Sequence, residues 1–307
     1  RLVFEQLQKT EDVTPVGLAR SKKARKALQR LGAAEIRAVD IADAEKLDEA
    51  MEGCDAVVLC TSAVPKIRPW SIVKLFFRKF ILRRKDAGRP EFRFQETPEE
   101  VDWLGAKKQI DAAVKARVKH FVLVSSMGGT QPENFLNGIG RRPDGTGGDI
   151  LLWKRKAERY LVDAGLSYTI IHPGGLIDEE PGKRRLLVDV DDKLLELKSR
   201  SIPRSDVARV CCAALFDSRA KNKSFDIVSK PVADSSDAPT ADAADVFAAL
   251  GDRTADYDAF SLPDPPSSFA TTANSVPEDA DAEEASAPEK NEEEEKAEEE
   301  EKKEELR

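Results

Sequence analysis

Cysteine, histidine and methionine are all scarce in this chain of 307 residues, and each scarcity excludes something. The four cysteines, Cys54, Cys60, Cys211 and Cys212, show no Cys-x-x-Cys spacing, which argues against a zinc ribbon or a dithiol redox motif. Cys60 ends an apolar run, and Cys211 and Cys212 lie inside one, so they read as buried thiols in a reducing compartment. The two histidines, His120 and His172, are far apart in sequence, and no metal-ligand cluster is expected. No run of ~20 apolar residues occurs, which argues against a membrane-spanning helix. The only methionines are Met51 and Met127. With no Met at its start, the chain reads as beginning inside a longer protein, any targeting peptide lying ahead of Arg1.

Charge is present in abundance but unevenly placed. The segment 278–307 carries 16 acidic and 5 basic residues, a net of −11, and 231–277 is a net −7. With the whole chain at −8, residues 1–230 carry +10. Segment 231–277, rich in Ala, Asp, Ser and Pro, has too few large apolar residues to offset the entropy of ordering. It reads as a mostly disordered linker with one short helix over Ala241–Leu250, followed by a disordered acidic tail over 278–307. Two roles stay open for the tail: solubility, or a screened cover for the basic body.

Within 1–230, short apolar runs alternate with helical patterns. Strands are predicted over Val13–Ala19, Ile36–Val39, Ala56–Cys60, Phe121–Val124, Tyr168–Ile171 and Phe225–Ile227. Helices are predicted over Arg1–Lys9, Lys22–Leu31, Ala44–Met51, Thr97–Ala116, Leu151–Ala164 and Arg204–Leu215. The fully apolar Ala56–Cys60 suits a strand covered on both faces. Repeated strand–helix units of this kind imply an α/β fold with a doubly wound parallel sheet. Such sheets bind ligands at their carboxyl edge. After the first predicted strand, Arg20 and Ser21 offer a guanidinium fork and a hydroxyl. At the position that faces an adenosine ribose, a basic residue suits a 2′-phosphate, which favours NADP(H) over NAD(H); a solvated loop arginine is the alternative.

Leu152-Trp-Lys-Arg-Lys-Ala-Glu-Arg-Tyr-Leu161, followed by Tyr168-Thr-Ile-Ile-His-Pro-Gly-Gly175, reads as a lysine-bearing helix feeding a buried strand that ends in a glycine turn. These stretches resemble the atypical short-chain dehydrogenase/reductase proteins, specifically their NmrA-like plant and algal NAD(P)-binding group. The likeness covers roughly Arg1 to Lys230 and includes Val101-Asp-Trp103 and Arg204-Ser-Asp-Val-Ala208. It implies that the first strand and its glycine-rich pyrophosphate turn are missing from this chain, Arg1–Leu7 matching the helix that follows them. It places Asp40 on the adenine amino group and Ile41 against the adenine ring, while helix capping by Asp40 or Asp43 is the alternative or additional role. It puts Thr61, Ser62 and Ala63 beside the dinucleotide backbone. It sets Pro173, Gly174 and Gly175 near the nicotinamide carboxamide through backbone groups.

The same likeness makes Lys154 the ribose-holding lysine, with Lys156 as the alternative, and Ser125 or Ser126 the group that orients a substrate. The position four before Lys154 is Ile150, where active relatives carry the proton-donating tyrosine. Asp206 is implied to fix a helix start. The expected activity is NADPH-dependent reduction of a small carbonyl or quinone-like compound, with plastid location implied by the plant group. A non-catalytic nucleotide sensor or scaffold is the competing reading, and Ile150 favours it.

One segment departs from that likeness. The insert 64–96 holds ten basic residues between Lys66 and Arg93 against Asp86 and Glu91. On a helix, Ile72, Val73, Phe76, Phe77 and Phe80 share one face, and Lys74, Arg78 and Lys85 another. Two readings stay open: a lid over the substrate pocket, or a basic amphipathic helix for an anionic membrane surface or acidic protein partner through 66–93. No nucleic-acid module accompanies the charge, so nucleic-acid binding is disfavoured.

Overall fold

The computed structural model describes residues 1–67, 70, 71, 73, 77, 92–232, 238–262 and 264–267. Helix α1 (Leu2–Leu7) leads into strand β1 (Val16–Leu18), helix α2 (Lys22–Arg30), strand β2 (Glu35–Arg37) and helix α3 (Ala44–Met51). The starts of α2 and α3 have a chemical cause. The Ser21 hydroxyl accepts from the Ala24 amide at 3.1 Å, and the Asp43 carboxylate accepts from Lys46 at 3.2 Å. Gly32 and Gly53 follow α2 and α3 at φ +81° and +73°, a conformation that closes a helix at little cost to glycine.

Strand β3 (Ala56–Leu59) enters the main sheet. Strands β4 (Pro65–Ile67) and β5 (Phe92–Phe94) pair antiparallel beyond it. The expected long helix Thr97–Ala116 is divided into a π-helical turn, Glu99–Gly105, and helix α4 (Ala106–Lys115). Strand β6 (His120–Val124), helix α5 (Ile150–Asp163) and strand β7 (Tyr168–Pro173) follow. Short strands β8 (Gly175–Ile177), β9 (Arg184–Asp189) and β10 (Ser201–Pro203) were not legible as strands in the sequence. Helix α6 (Arg204–Phe216), strand β11 (Lys223–Pro231) and helix α7 (Asp245–Leu250) complete the body.

The main sheet runs β3-β6-β7-β11-β9, its first four strands parallel and β9 antiparallel to β11. Strands β1 and β2 form a separate parallel pair. In β6, alternate side chains enter opposite cores. Phe121 and Leu123 join Leu47, Met51, Ile110 and Leu161 on one face. Val122 joins Ile171, Val210, Phe225 and Ile227 on the other. A sheet buried on both faces explains the unbroken apolar strands.

The folded body continues past Lys230, which corrects the expected boundary there. Val246, Phe247 and Leu250 of α7 are buried in the second core, with Phe247 edge-on to Phe225 at 6.0 Å. A helical stripe of three apolar residues suffices when a formed core receives it; average composition hides such a stripe. Cys60 is exposed, against the expectation of a buried thiol, whereas Cys211 is buried. In the insert, Trp70, Val73 and Phe77 are exposed. The rest of the expected amphipathic helix, and the acidic tail, lie outside the described residues. Among the described residues, no helix is long and apolar enough to cross a membrane.

Candidate functional site

The carboxyl ends of β3 and β6 and the first turn of α5 converge on a cleft lined by Thr61, Asp102, Ser125 and Lys154 over the apolar floor of Leu59, Leu123 and Ala157. Lys154 is nearly buried, and its Nζ lies 2.7 Å from Oδ1 of the fully buried Asp102. The other Asp102 oxygen accepts the Ala63 amide at 3.0 Å. One carboxylate therefore fixes both the lysine and the loop after β3. Gln109 of α4 donates to Thr61 at 3.4 Å. Ile41 packs on Gly105, where a Cβ would come within 2.7 Å of its Cδ1, so the β2 end is drawn against the same π-helical turn.

Arg20 and Asp40 meet at the ends of β1 and β2, 3.6 Å apart. Arg20 also makes a two-pronged pair with Glu96, its Nη2 donating to Oε2 at 2.9 Å. The hydrogen bond to Glu96, with the charges of both acids, raises the guanidinium pKa above its ordinary value. Asp40 Oδ1 accepts the Ala42 amide at 3.0 Å, while Asp43 caps α3, which divides the two capping roles left open for these acids.

Behind the cleft lies a buried ionic cluster. Ser125 donates its hydroxyl hydrogen to Glu158. Glu158 lies 3.3 Å from His172 Nε2, and Asp226 lies 3.1 Å from Nδ1. These three titratable side chains are 2%, 5% and 1% exposed. Arg155 at 3.6 Å and the Tyr257 hydroxyl at 3.1 Å also face Glu158. Burial alone would lift the Glu158 carboxyl; the charge and hydrogen bond of His172, helped by Arg155 and Ser125, outweigh it and hold the group down at about 2. Burial alone would lower the imidazole; Glu158 and Asp226 overcome that and push it up to about 10. His172 is thus an imidazolium between two carboxylates.

The cluster also positions the loop after β6. Asp226 Oδ2 accepts the Asp192 amide at 2.7 Å. The Asp192 carboxylate then accepts the amides of Gly128 and Thr130 at 2.6 and 2.9 Å. Ser126, half-buried in that loop, donates to the Met127 carbonyl at 3.1 Å.

Gly174 and Gly175 donate their amides to Ile227 at 3.0 Å and Arg200 at 2.7 Å, so both N–H groups already serve strand pairing. Pro173 ends β7 inside the sheet. Asp206 lies buried in the first turn of α6 and accepts from Gly182 at 2.8 Å and Arg209 at 2.9 Å. Ser62, beside Ala63, faces its neighbour's carbonyl at 3.5 Å. Lys156 does not share the cleft; it pairs with Asp264 at 2.5 Å and lies 4.9 Å over the Trp103 ring.

Asp102, Glu158, Asp226 and Glu96 were not singled out from sequence. Asp226 had a usable signal, an acid inside the apolar Phe225–Ile227. Glu158 sits four residues after Lys154, on the same side of α5, which is a second signal.

Comparison with known proteins agrees with this geometry. A family model described as NAD(P)H-binding matches residues 1–218. An uncharacterised chloroplastic protein of Arabidopsis thaliana is 44% identical over 234 residues, covering 75% of this chain and 66% of that protein. The sanguinarine reductase of Eschscholzia californica is 44% identical over 247 residues, covering 75% of this chain and 85% of that protein. The chain thus spans just under two thirds of the first relative. Among solved structures, a Bacillus halodurans protein described as a candidate NAD-dependent epimerase/dehydratase is 25% identical with a TM-score of 0.56, covering 81% of this chain and 92% of that one. The oxidoreductase ylbE of Lactococcus lactis, at 21% identity and a TM-score of 0.54, covers 81% of this chain and 92% of its own, and shares the fold.

Proposed function

The chain belongs to the NAD(P)H-binding family, within the atypical short-chain dehydrogenase/reductase group, and from that premise we propose that it binds NADP(H) along the carboxyl edge of its sheet and reduces a small carbonyl or quinone-like compound. The observation that carries this reading is the Lys154–Asp102 pair at the shared end of β3, β6 and α5. A buried ammonium held by a buried carboxylate keeps its remaining hydrogens directed by geometry rather than by solvent, which is what holding a ribose diol requires. Arg20 and Ser21 support NADP(H), because a guanidinium fork matches a phosphate.

A bound nicotinamide would supply the hydride. The chain's own residues orient and exclude water. Leu59, Leu123 and Ala157 make the floor apolar. Ser125 has committed its hydrogen to Glu158 and offers the cleft its lone pairs. Ser126, bonded among the described residues to an adjacent carbonyl, is the donor that can turn toward a substrate oxygen. The name of the Eschscholzia relative supports a reductase, and the chloroplastic Arabidopsis relative supports a plastid setting.

Titrating NADPH and NADH calorimetrically into the protein, then following NADPH absorbance with a quinone and ketone panel, tests the proposal. Lys154→Ala is expected to weaken NADPH about tenfold, the scale of one lost hydrogen bond to a charged group. Unchanged affinity in that variant would remove Lys154 from the site. The second reading, a nucleotide sensor or scaffold, is favoured by Ile150 at the tyrosine position; NADPH bound tightly but oxidised with no acceptor would select it.

A further inference from the structure

The guanidinium of Arg20 is contested. Its two terminal nitrogens both face the Glu96 carboxylate, and Asp40 lies 3.6 Å from Nη1. The fork that accepts two carboxylate oxygens side by side is the same fork that accepts two phosphate oxygens. Glu96 and a 2′-phosphate therefore compete for one set of donors.

Local structure brings the two side chains together. Arg20 directly precedes Ser21, the cap of α2. Glu96 follows β5 and directly precedes Thr97, which exchanges reciprocal hydrogen bonds with Glu100, at 2.7 Å from the Thr97 amide and 3.2 Å to its hydroxyl. On the other side, Gln95 is tied to Lys66 of β4 at 2.7 Å. Both backbones are anchored, so only side-chain rotation can part the pair. Asp40 is less free, because its Oδ1 holds the Ala42 amide. Glu96 is half-exposed and can leave into solvent.

We infer that Glu96 sets the chain's preference between NADPH and NADH, by occupying the Arg20 fork that a 2′-phosphate would take. The inference rests on the nucleotide reading above and adds a residue that opposes it. NADH, with a neutral 2′-hydroxyl, leaves the Arg20–Glu96 pair intact. NADPH must displace Glu96 and bring a phosphate near two carboxylates. The present arrangement therefore narrows the advantage of NADPH, and removing one carboxylate widens it.

The test is a double-mutant cycle on the full chain, with NADPH, NADH, 2′,5′-ADP and 5′-AMP as probes. Glu96→Gln is expected to raise affinity for NADPH and 2′,5′-ADP about fivefold, the scale of one half-exposed ion pair. NADH and 5′-AMP should move less than about twofold, since neither reaches the guanidinium with a charge. In the Arg20→Ala background the Glu96→Gln effect should vanish, because the contested donor is gone. Equal shifts for all four probes, no shift for any, or a shift that persists without Arg20 would each overturn the inference. NADPH binding that ignores Glu96 overturns this point alone; wild-type protein that binds neither nucleotide overturns the underlying reading with it.

Discussion

His172 is a residue whose state the fold alters strongly. It sits in an apolar strand and is nonetheless charged, because Glu158 and Asp226 flank both ring nitrogens. The chain has two histidines, so their titrations are separable by NMR. His120, bonded to Ser167 and Thr169, is lowered from its ordinary value by burial, with the charge of Lys221 adding to it. The expected spectrum shows one imidazole titrating below 6.5 and the other near about 10. Two ordinary titrations near 6.5 would refute the buried cluster. The linkage has a definite sign. The His172 contribution to stability is complete below about pH 6.5, and it is lost as pH rises through about 10. The Glu158 contribution is present above 4.5 and is lost as pH falls through about 2. Asp226, raised by burial, opposes the Glu158 trend in acid, because its own contribution is lost as pH rises. Urea midpoints should fall from pH 6.5 toward 10. Asp102 was illegible at this scale because a carboxylate's role depends on which neighbour it meets, and Lys154 and Ala63 lie tens of residues away.

At the scale of elements, the Pro173-Gly174-Gly175 turn shows how one motif serves two demands. A Cβ on Gly174 would lie 2.2 Å from the Arg200 carbonyl, whereas one on Gly175 would lie at an ordinary 3.7 Å. Gly174→Ala is therefore expected to cost about 3 kcal/mol by forcing β10 from β8, and Gly175→Ala about 0.5 kcal/mol or less. Chemical denaturation of the two variants checks this, and equal costs would mean that close packing is not what selects glycine there. The helix starts at Ser21 and Asp43 and most strand centres were legible, because capping chemistry and apolar runs are local. Strands β8 and β10, three residues each, were not, because they exist only through their pairing with each other.

For the molecule as a whole, the segment after β11 is structural. Phe247 fills the second core against Phe225, and Tyr257 joins the buried cluster through Glu158 and Ser224. Phe247→Ala is expected to cost about 3–5 kcal/mol, as loss of a buried aromatic does. A melting temperature unchanged by that substitution would return the segment to the linker it resembles by composition. The acidic average of 231–277 concealed this, because stability follows the few residues that reach a core, not the mean of a window.

The amino-acid sequence by itself determined the strand–helix alternation, which follows from local pattern and chain order, and its likeness to a family placed Asp40, Thr61, Ser125 and Lys154, with Arg20, at the carboxyl edge. Only the tertiary structure decided which charges oppose one another. It set Asp102 on Lys154, Glu96 on Arg20, and Glu158 with Asp226 on His172. The physical reason is that an ionic contact is fixed by distance in space and by loss of solvent, and neither quantity is written in the spacing of residues along the chain.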